Sequence, residues 1–176
     1  MRVALAAWII QDGNYGDFEP GDAEFALEFV PERLARTSSS PGGSYRPSDS
    51  ADLYAVNGSV VYCTERPWVI DVGVLAYSDV ASPPWVAEGV NFEGDLRLGV
   101  DCFTYFERLH ERPGFPALMY SWHIDRIWVE TATAPPREVP RTDAWGRDLK
   151  DGSTTYLLDA TLLSGPTRWF TKRTWR

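Results

Sequence analysis

Cysteine, histidine, methionine and lysine occur only twice each among the 176 residues of this chain. Two cysteines, Cys63 and Cys102, make no disulfide framework. The expectation is two reduced, mostly buried thiols in a cytoplasmic protein. With His110 and His123 they complete the soft-ligand inventory, and no C-x-x-C or H-x3-H spacing joins any of them. A zinc centre has no local pair to start from, and no cofactor is expected. Long apolar runs are missing too: none approaches the roughly 20 residues that span a bilayer, so no membrane partner is expected. The apolar stretch Val3–Ile10 is eight residues long and is followed at once by Gln11, Asp12 and Gly13. It reads as the end of a buried strand in mature protein rather than as a signal peptide.

Positive charge is scarce. Lys and Arg number 17 against 25 Asp and Glu, a net charge of −8. Such a chain repels a polyphosphate backbone, so nucleic acid is not an expected partner unless a local basic patch rescues it. The imbalance of fifteen Arg to two Lys fits a GC-rich genome and has no unique functional meaning. No Walker, G-x-S-x-G or H-E-x-x-H pattern appears, which excludes the common motif-bearing enzymes but not enzymes as such.

What is abundant points to strands. There are eight Trp, eight Tyr and eight Phe, with 14 Gly and 13 Pro as punctuation between short apolar runs. A chain of this length forms one domain and buries roughly 70% of its unfolded surface. Strands are expected at Val3–Ile10, 24–29, Leu53–Cys63, Pro67–Tyr77, Val90–Val100, Ala117–Glu130, Thr154–Leu163 and Arg168–Trp175. In 24–29, Phe25, Leu27 and Phe29 alternate with Glu24, Ala26 and Glu28, the mark of one wet face. Gly58, Gly73, Gly94 and Gly99 inside strands mark bulges or sharp bends. Apolar parity changes after Ile124, so a bulge near Asp125-Arg126 is needed to keep both sets buried. Asp101 reads as the N-cap of a short helix over 102–110, against a rival strand from Leu98 to Phe106. Residues 37–50 and 132–152 read as loops.

The element order from 52 to 163, within a body over 51–176, gives a mainly β, antiparallel small barrel. It is OB-like (β-β-β-short α-β-β), with an added N-terminal hairpin over 1–36, the Ser/Pro/Gly-rich loop 37–50 and a C-terminal strand. A β-sandwich or lipocalin-like closed barrel produces nearly the same string.

Four constellations carry chemical potential. Ser121, His123 and Asp125 share one face of a strand, yet same-face neighbours stand about 6.6 Å apart, too far for a nucleophile relay. Asp71 lies inside Val69-Ile70-Asp71-Val72, where it either lines a cavity or faces solvent; strict alternation favours solvent. Asp12, Asn14 and Asp17, with Glu19 and Asp22, offer oxygens to a hard cation but fail the EF-hand pattern and also suit a turn. Arg168, Trp169, Lys172, Arg173 and Trp175 form a basic-aromatic tail. It suits stacking on single strands, docking onto an acidic body, or recognition by an acidic partner.

The leading expectation is a non-catalytic protein-interaction or accessory module, on the negative charge, the thin catalytic inventory and the Trp/Tyr/Arg content. The alternative is a small-molecule binder or enzyme with an interior cavity, using Asp71 or His123. The third is an OB-type single-strand binder working through the tail.

Overall fold

The computed structural model describes residues 1–13, 15–39, 42–48, 52–131, 134–143, 145 and 154–169. In chain order its elements are β1 (Arg2–Ala6), α1 (Ala7–Gln11), β2 (Gly21–Phe25), β3 (Leu27–Arg36), β4 (Ser44–Pro47), β5 (Leu53–Cys63), β6 (Trp68–Asp71), β7 (Leu75–Ser78), β8 (Asn91–Val100), a π-helix (Tyr105–Leu109), β9 (Met119–Thr131), β10 (Ala134–Val139) and β11 (Thr155–Thr167). The protein is mainly β, as expected. Five strands close a small barrel in the cyclic order β3–β8–β5–β6–β7, and β3 and β7 close it as a parallel pair at Glu28↔Tyr77. The sheet continues from β8 through β1 to β11 and β9, whose far edge carries β2 and β10.

Several local expectations change. The first strand stops at Ala6, where pairing with Thr155 ends, and residues 7–11 turn into a helix. That turn buries Ala7, Ile9 and Ile10 and leaves Trp8 46% exposed. The alternating run 24–29 divides at Ala26: β2 pairs with β9, whereas β3 becomes a barrel stave. Residues 1–36 are therefore woven into the body. The run 67–77 folds back on itself, because Asp71 Oδ1 accepts the Gly73 amide at 2.8 Å and Gly73 takes φ +95°. Short strands β4 and β10 occupy parts of the expected loops.

Other expectations hold. Between β9 and β11 the register shifts from Arg126↔Asp159 to Ile124↔Ala160, leaving Asp125 as the bulged residue. Trp122, Ile124 and Ile127 are consequently all buried. The segment after β8 is helical, but the helix spans only Tyr105–Leu109 and its N-cap position is Thr104, not Asp101; the Asp101 carboxylate nevertheless accepts the Tyr105 amide. At Gly94 (φ +146°) a Cβ would lie 1.9 Å from the Arg33 carbonyl oxygen, so β3 and β8 approach only because that side chain is missing.

Large side chains fill the barrel. Phe29 meets Trp68 edge-on at 4.7 Å, and Val56, Val60, Ile70 and Phe92 pack around them. A barrel's width grows with strand number, so five staves leave an interior that side chains occupy. Val69 and Tyr77, on the outer face of β6 and β7, join a second core with Tyr105, Leu109, Phe115 and Leu118. The β6–β7 hairpin is thus buried on both faces.

Replacing Phe29 with Ala is expected to cost about 3–5 kcal/mol through lost burial and a cavity. Val30 on the opposite face is 47% exposed, and Val30→Ala should stay within about 0.5 kcal/mol. Urea denaturation of both variants checks this; equal losses would contradict the assigned faces.

Candidate functional site at one end of the barrel

The polar face of β9 spends its side chains on neighbouring strands. Ser121 Oγ donates to Glu24 Oε1 at 3.3 Å, and His123 Nδ1 lies 3.1 Å from Asp22 Oδ1. Asp125 Oδ2 accepts from Thr161 Oγ1 at 2.8 Å. Each member of the S-x-H-x-D run therefore has its own cross-strand partner, and no relay links them. Asp71 is a turn former. Asp17 Oδ1 accepts the Thr142 hydroxyl at 2.9 Å, Asp12 closes α1, and Asn14 falls outside the described residues. Among the described residues no three His, Cys, Asp or Glu side chains gather as metal ligands. No helix among them is long and apolar enough to cross a membrane.

The start of the basic tail docks onto the body. Arg168 donates from Nη1 to His110 O and from Nη2 to Phe115 O, both at 2.9 Å. Trp169 meets the His110 ring edge-on at 4.3 Å and remains 56% exposed. Lys172, Arg173 and Trp175 lie outside the described residues.

A different group of side chains converges where β3, β7 and β8 meet. The register places Leu27 opposite Val100 and Glu28 beside Tyr77, and the Asp101 amide donates to Ala26 O at 3.0 Å. Asp101 is fully buried. Its Oδ1 accepts the Tyr77 hydroxyl and, at 3.2 Å, the Tyr105 amide; its Oδ2 is 3.4 Å from the Phe106 amide. The carboxylate thus anchors the π-helix to the barrel. Glu28 accepts from the backbone amide and the thiol of Cys102. Between these groups and the helix, Phe103 adopts φ +86°, a left-handed conformation that costs a bulky side chain about 1–3 kcal/mol. Its ring is held at 6.0 Å from Tyr15 and 6.1 Å from Trp8.

Burial dominates the protonation of this cluster. It lifts Asp101 to about 6, against the lowering effect of its three hydrogen bonds. It also raises Glu28, where the charge of Asp79 adds to the effect. The Cys102 thiol is pushed up to about 12 by burial and by the nearby Glu28 carboxylate. Tyr77 and Tyr15 are raised for the same first reason, with Asp101 adding to both. Among the described residues, the main influences on Glu28, Asp101 and Cys102 are burial, neighbouring acids and hydrogen-bond donors rather than a Lys, Arg or His. A thiol that stays protonated is no nucleophile, and no imidazole stands by to activate it. The cluster can hold protons or receive positive charge.

Sequence reasoning found Asp101 only as a cap and Glu28 only as a wet-face residue. Tyr15, Tyr77 and Asp79 left no signal, because their meeting depends on the parallel β3–β7 closure. No protein-family model matches the chain, and no curated protein or solved structure matches it.

Two tests address the cluster. A group whose folded value is raised stabilises the fold fully below its unfolded value of 3.8, and loses that contribution as pH rises through about 6. Relative to Asp101→Asn, the wild type should therefore lose on the order of 2 kcal/mol of advantage between pH 4 and 7 in urea titrations. A pH-independent difference would contradict the burial. Iodoacetamide at pH 8 should label Cys102 on the order of a hundredfold or more slowly in the folded chain than in the urea-unfolded one.

Proposed function

We propose that the chain is a cytoplasmic, non-catalytic protein-interaction module that binds a basic partner through this end of the barrel. The observation that carries the reading is the set of carboxylates Glu28, Asp79 and Asp101, brought together without a facing cation among the described residues. The net charge of −8 would steer a basic partner towards it. Exposed Trp8, braced edge-on by Phe103, has the character of an interface anchor.

The rival readings have less support. A barrel interior occupied by Phe29 and Trp68 argues against a ligand held inside it. The separate engagements of Ser121, His123 and Asp125 argue against a relay enzyme. The expected OB order is not the one that closes the barrel, because the strands over 119–131 and 155–167 lie outside it and the fifth stave is β3; a permuted OB-type arrangement of the staves is the form of that reading that survives. In it β5–β6–β7 form a meander, β8 returns beside β5, and β3 lies between β8 and β7, parallel to the latter. The last stave would then come from the N-terminal side of the meander. Such a likeness carries no function, and Arg168 spends its guanidinium on carbonyls instead of facing a phosphate.

Native mass spectrometry of untagged protein from its own host tests the reading. A bound species several thousand daltons above 19.8 kDa is expected at low salt and should dissociate as salt screens the charges. Trp8→Ala should weaken it by about tenfold or more, while Trp145→Ala should not. A bare monomer, or a salt-resistant addition of a few hundred daltons, would overturn the reading.

A further inference from the structure

Three open edges of the described sheet are blunted. β10 carries Pro135 and Pro136, β4 ends on Arg46 and Pro47, and β2 carries Asp22 and Glu24. Proline and charge are the usual means of keeping an edge from pairing with another chain. The far half of β11 is a further edge, and it has no such protection. Beyond Ala160, β9 still runs along one side of β11, but among the described residues no strand runs along the other. Met1 and Ala160 close the β1 ladder by exchanging backbone bonds of 2.6 and 2.7 Å. In an antiparallel ladder the bonding groups of one edge recur at every second residue. The next amide and carbonyl aimed at this edge therefore belong to Leu162.

The side chains on this edge are apolar. Leu162 is 43% and Leu163 52% exposed, and residues 161–167 lie at the surface throughout. The run Thr-Leu-Leu-Ser-Gly-Pro-Thr holds no charge. The charges that flank it are engaged elsewhere, Asp159 by Arg2 and Arg168 by the carbonyls of His110 and Phe115. The register against β9 skips a residue between Leu162 and Ser164, so Leu163 is a bulged residue beside Leu162. The open stretch ends at Gly165-Pro166. Gly165 takes φ +121° and lies so close to β9 that a Cβ would stand 3.0 Å from Met119 O. Pro166 has no amide to offer. The usable edge is therefore 161–164.

Charge identifies the occupant. Two copies of a chain with a net charge of −8 repel each other, and they can touch without setting acid against acid only where the contact is uncharged. An uncharged edge offers a basic partner no complementary group. A two-fold axis lays this strand antiparallel on its own copy, which brings the leucines of both chains together and removes them from water. We propose that residues 161–164 of β11 are a self-association edge, through which two copies of this chain join their sheets as an antiparallel β11–β11 pair. Four residues bury far less than the roughly 800 Å² per partner of a standard stable complex. The dimer is accordingly transient, with a Kd on the order of 0.1 mM or weaker. The contact goes beyond the interaction function proposed above and uses different residues.

The test is sedimentation equilibrium of the full chain from about 10 µM to about 1 mM, at low and at high salt, with ¹H–¹⁵N NMR spectra over the same range. The mean mass should climb from 19.8 kDa towards twice that value. It should climb further at high salt, because salt screens the repulsion between like-charged copies. Concentration-dependent shifts should centre on the amides of Leu162 and Ser164. Leu162→Lys and Leu163→Lys should each weaken dimerisation by about tenfold or more. Val80→Lys makes the same change of charge at a side chain 48% exposed away from this edge, and should leave dimerisation as it is. Unchanged urea midpoints check that the lysine variants fold, and the shifts in the wild type need no variant. A monomer at every concentration, shifts centred on other residues, or growth past the dimer would overturn the proposal. So would a dimer that resists both leucine variants or loosens with salt. A complex with a basic partner loosens with salt and survives Leu162→Lys, so either contact can fail while the other stands.

Discussion

Strand β8 is the element on which the remainder of the molecule depends. One edge pairs with β3 from Leu27↔Val100 to Arg36↔Phe92, and the other with β5 from Leu53↔Arg97 to Ser59↔Asn91. Where β5 ends, β1 takes over at Ala4↔Gly99 and leads the sheet away towards β11 and β9. A strand bonded along both edges cannot slip, because a one-residue shift would expose Phe92, Leu96 and Leu98 together. Gly94 permits the close approach of β3 that closes the ring. The barrel and the outer sheet are therefore one cooperative unit joined through a single stave.

The end of that strand is where the fold concentrates cost. Asp101 is fully buried, Phe103 sits at φ +86°, and the helix that follows has π instead of α hydrogen bonding. Strained backbone, a π-turn and shifted protonation seldom coincide by chance, since each must be held in place by its surroundings. Here the surroundings are known: Tyr77 and Ala26 from the barrel, Tyr15 and Trp8 from the N-terminal segment.

Several charges elsewhere among the described residues are paired across strands. Arg97 bridges Glu32 at 2.7 Å and Asp52 at 2.6 Å, and Arg33 meets Asp95 at 2.9 Å, across the outer face of β3, β5 and β8. Arg2 grips Asp159 with two bonds of 2.6 and 2.8 Å while Trp128 donates to the same carboxylate. That arrangement holds Asp159 below the usual carboxylate range despite partial burial. The edge strand β10 begins Ala134-Pro135-Pro136, and prolines there cannot template another strand.

The class of fold and most of its strands were legible in the residues, since period-two alternation reports a sheet with distinct faces. The bulge at Asp125 was legible too, because apolar parity changes across it and only an extra residue keeps Trp122, Ile124 and Ile127 buried. That the segment after Asp101 is helical was legible, but its start was not: the helix begins at Tyr105 with Thr104 at the N-cap position, and Asp101 reaches its first amides from inside the core. The division at Ala26, which sends β2 to one sheet and β3 into the barrel, was not. Pairing partners are chosen by distant strands, and alternation is the same whichever partner is chosen. The acidic cluster lies beyond local pattern for the same reason. Glu28, Tyr77 and Asp101 are separated along the chain and become neighbours only when β3 pairs with β7 on one side and with β8 on the other. Local chemistry along the chain sets which faces are wet and where strands bend, whereas long-range pairing sets which side chains meet.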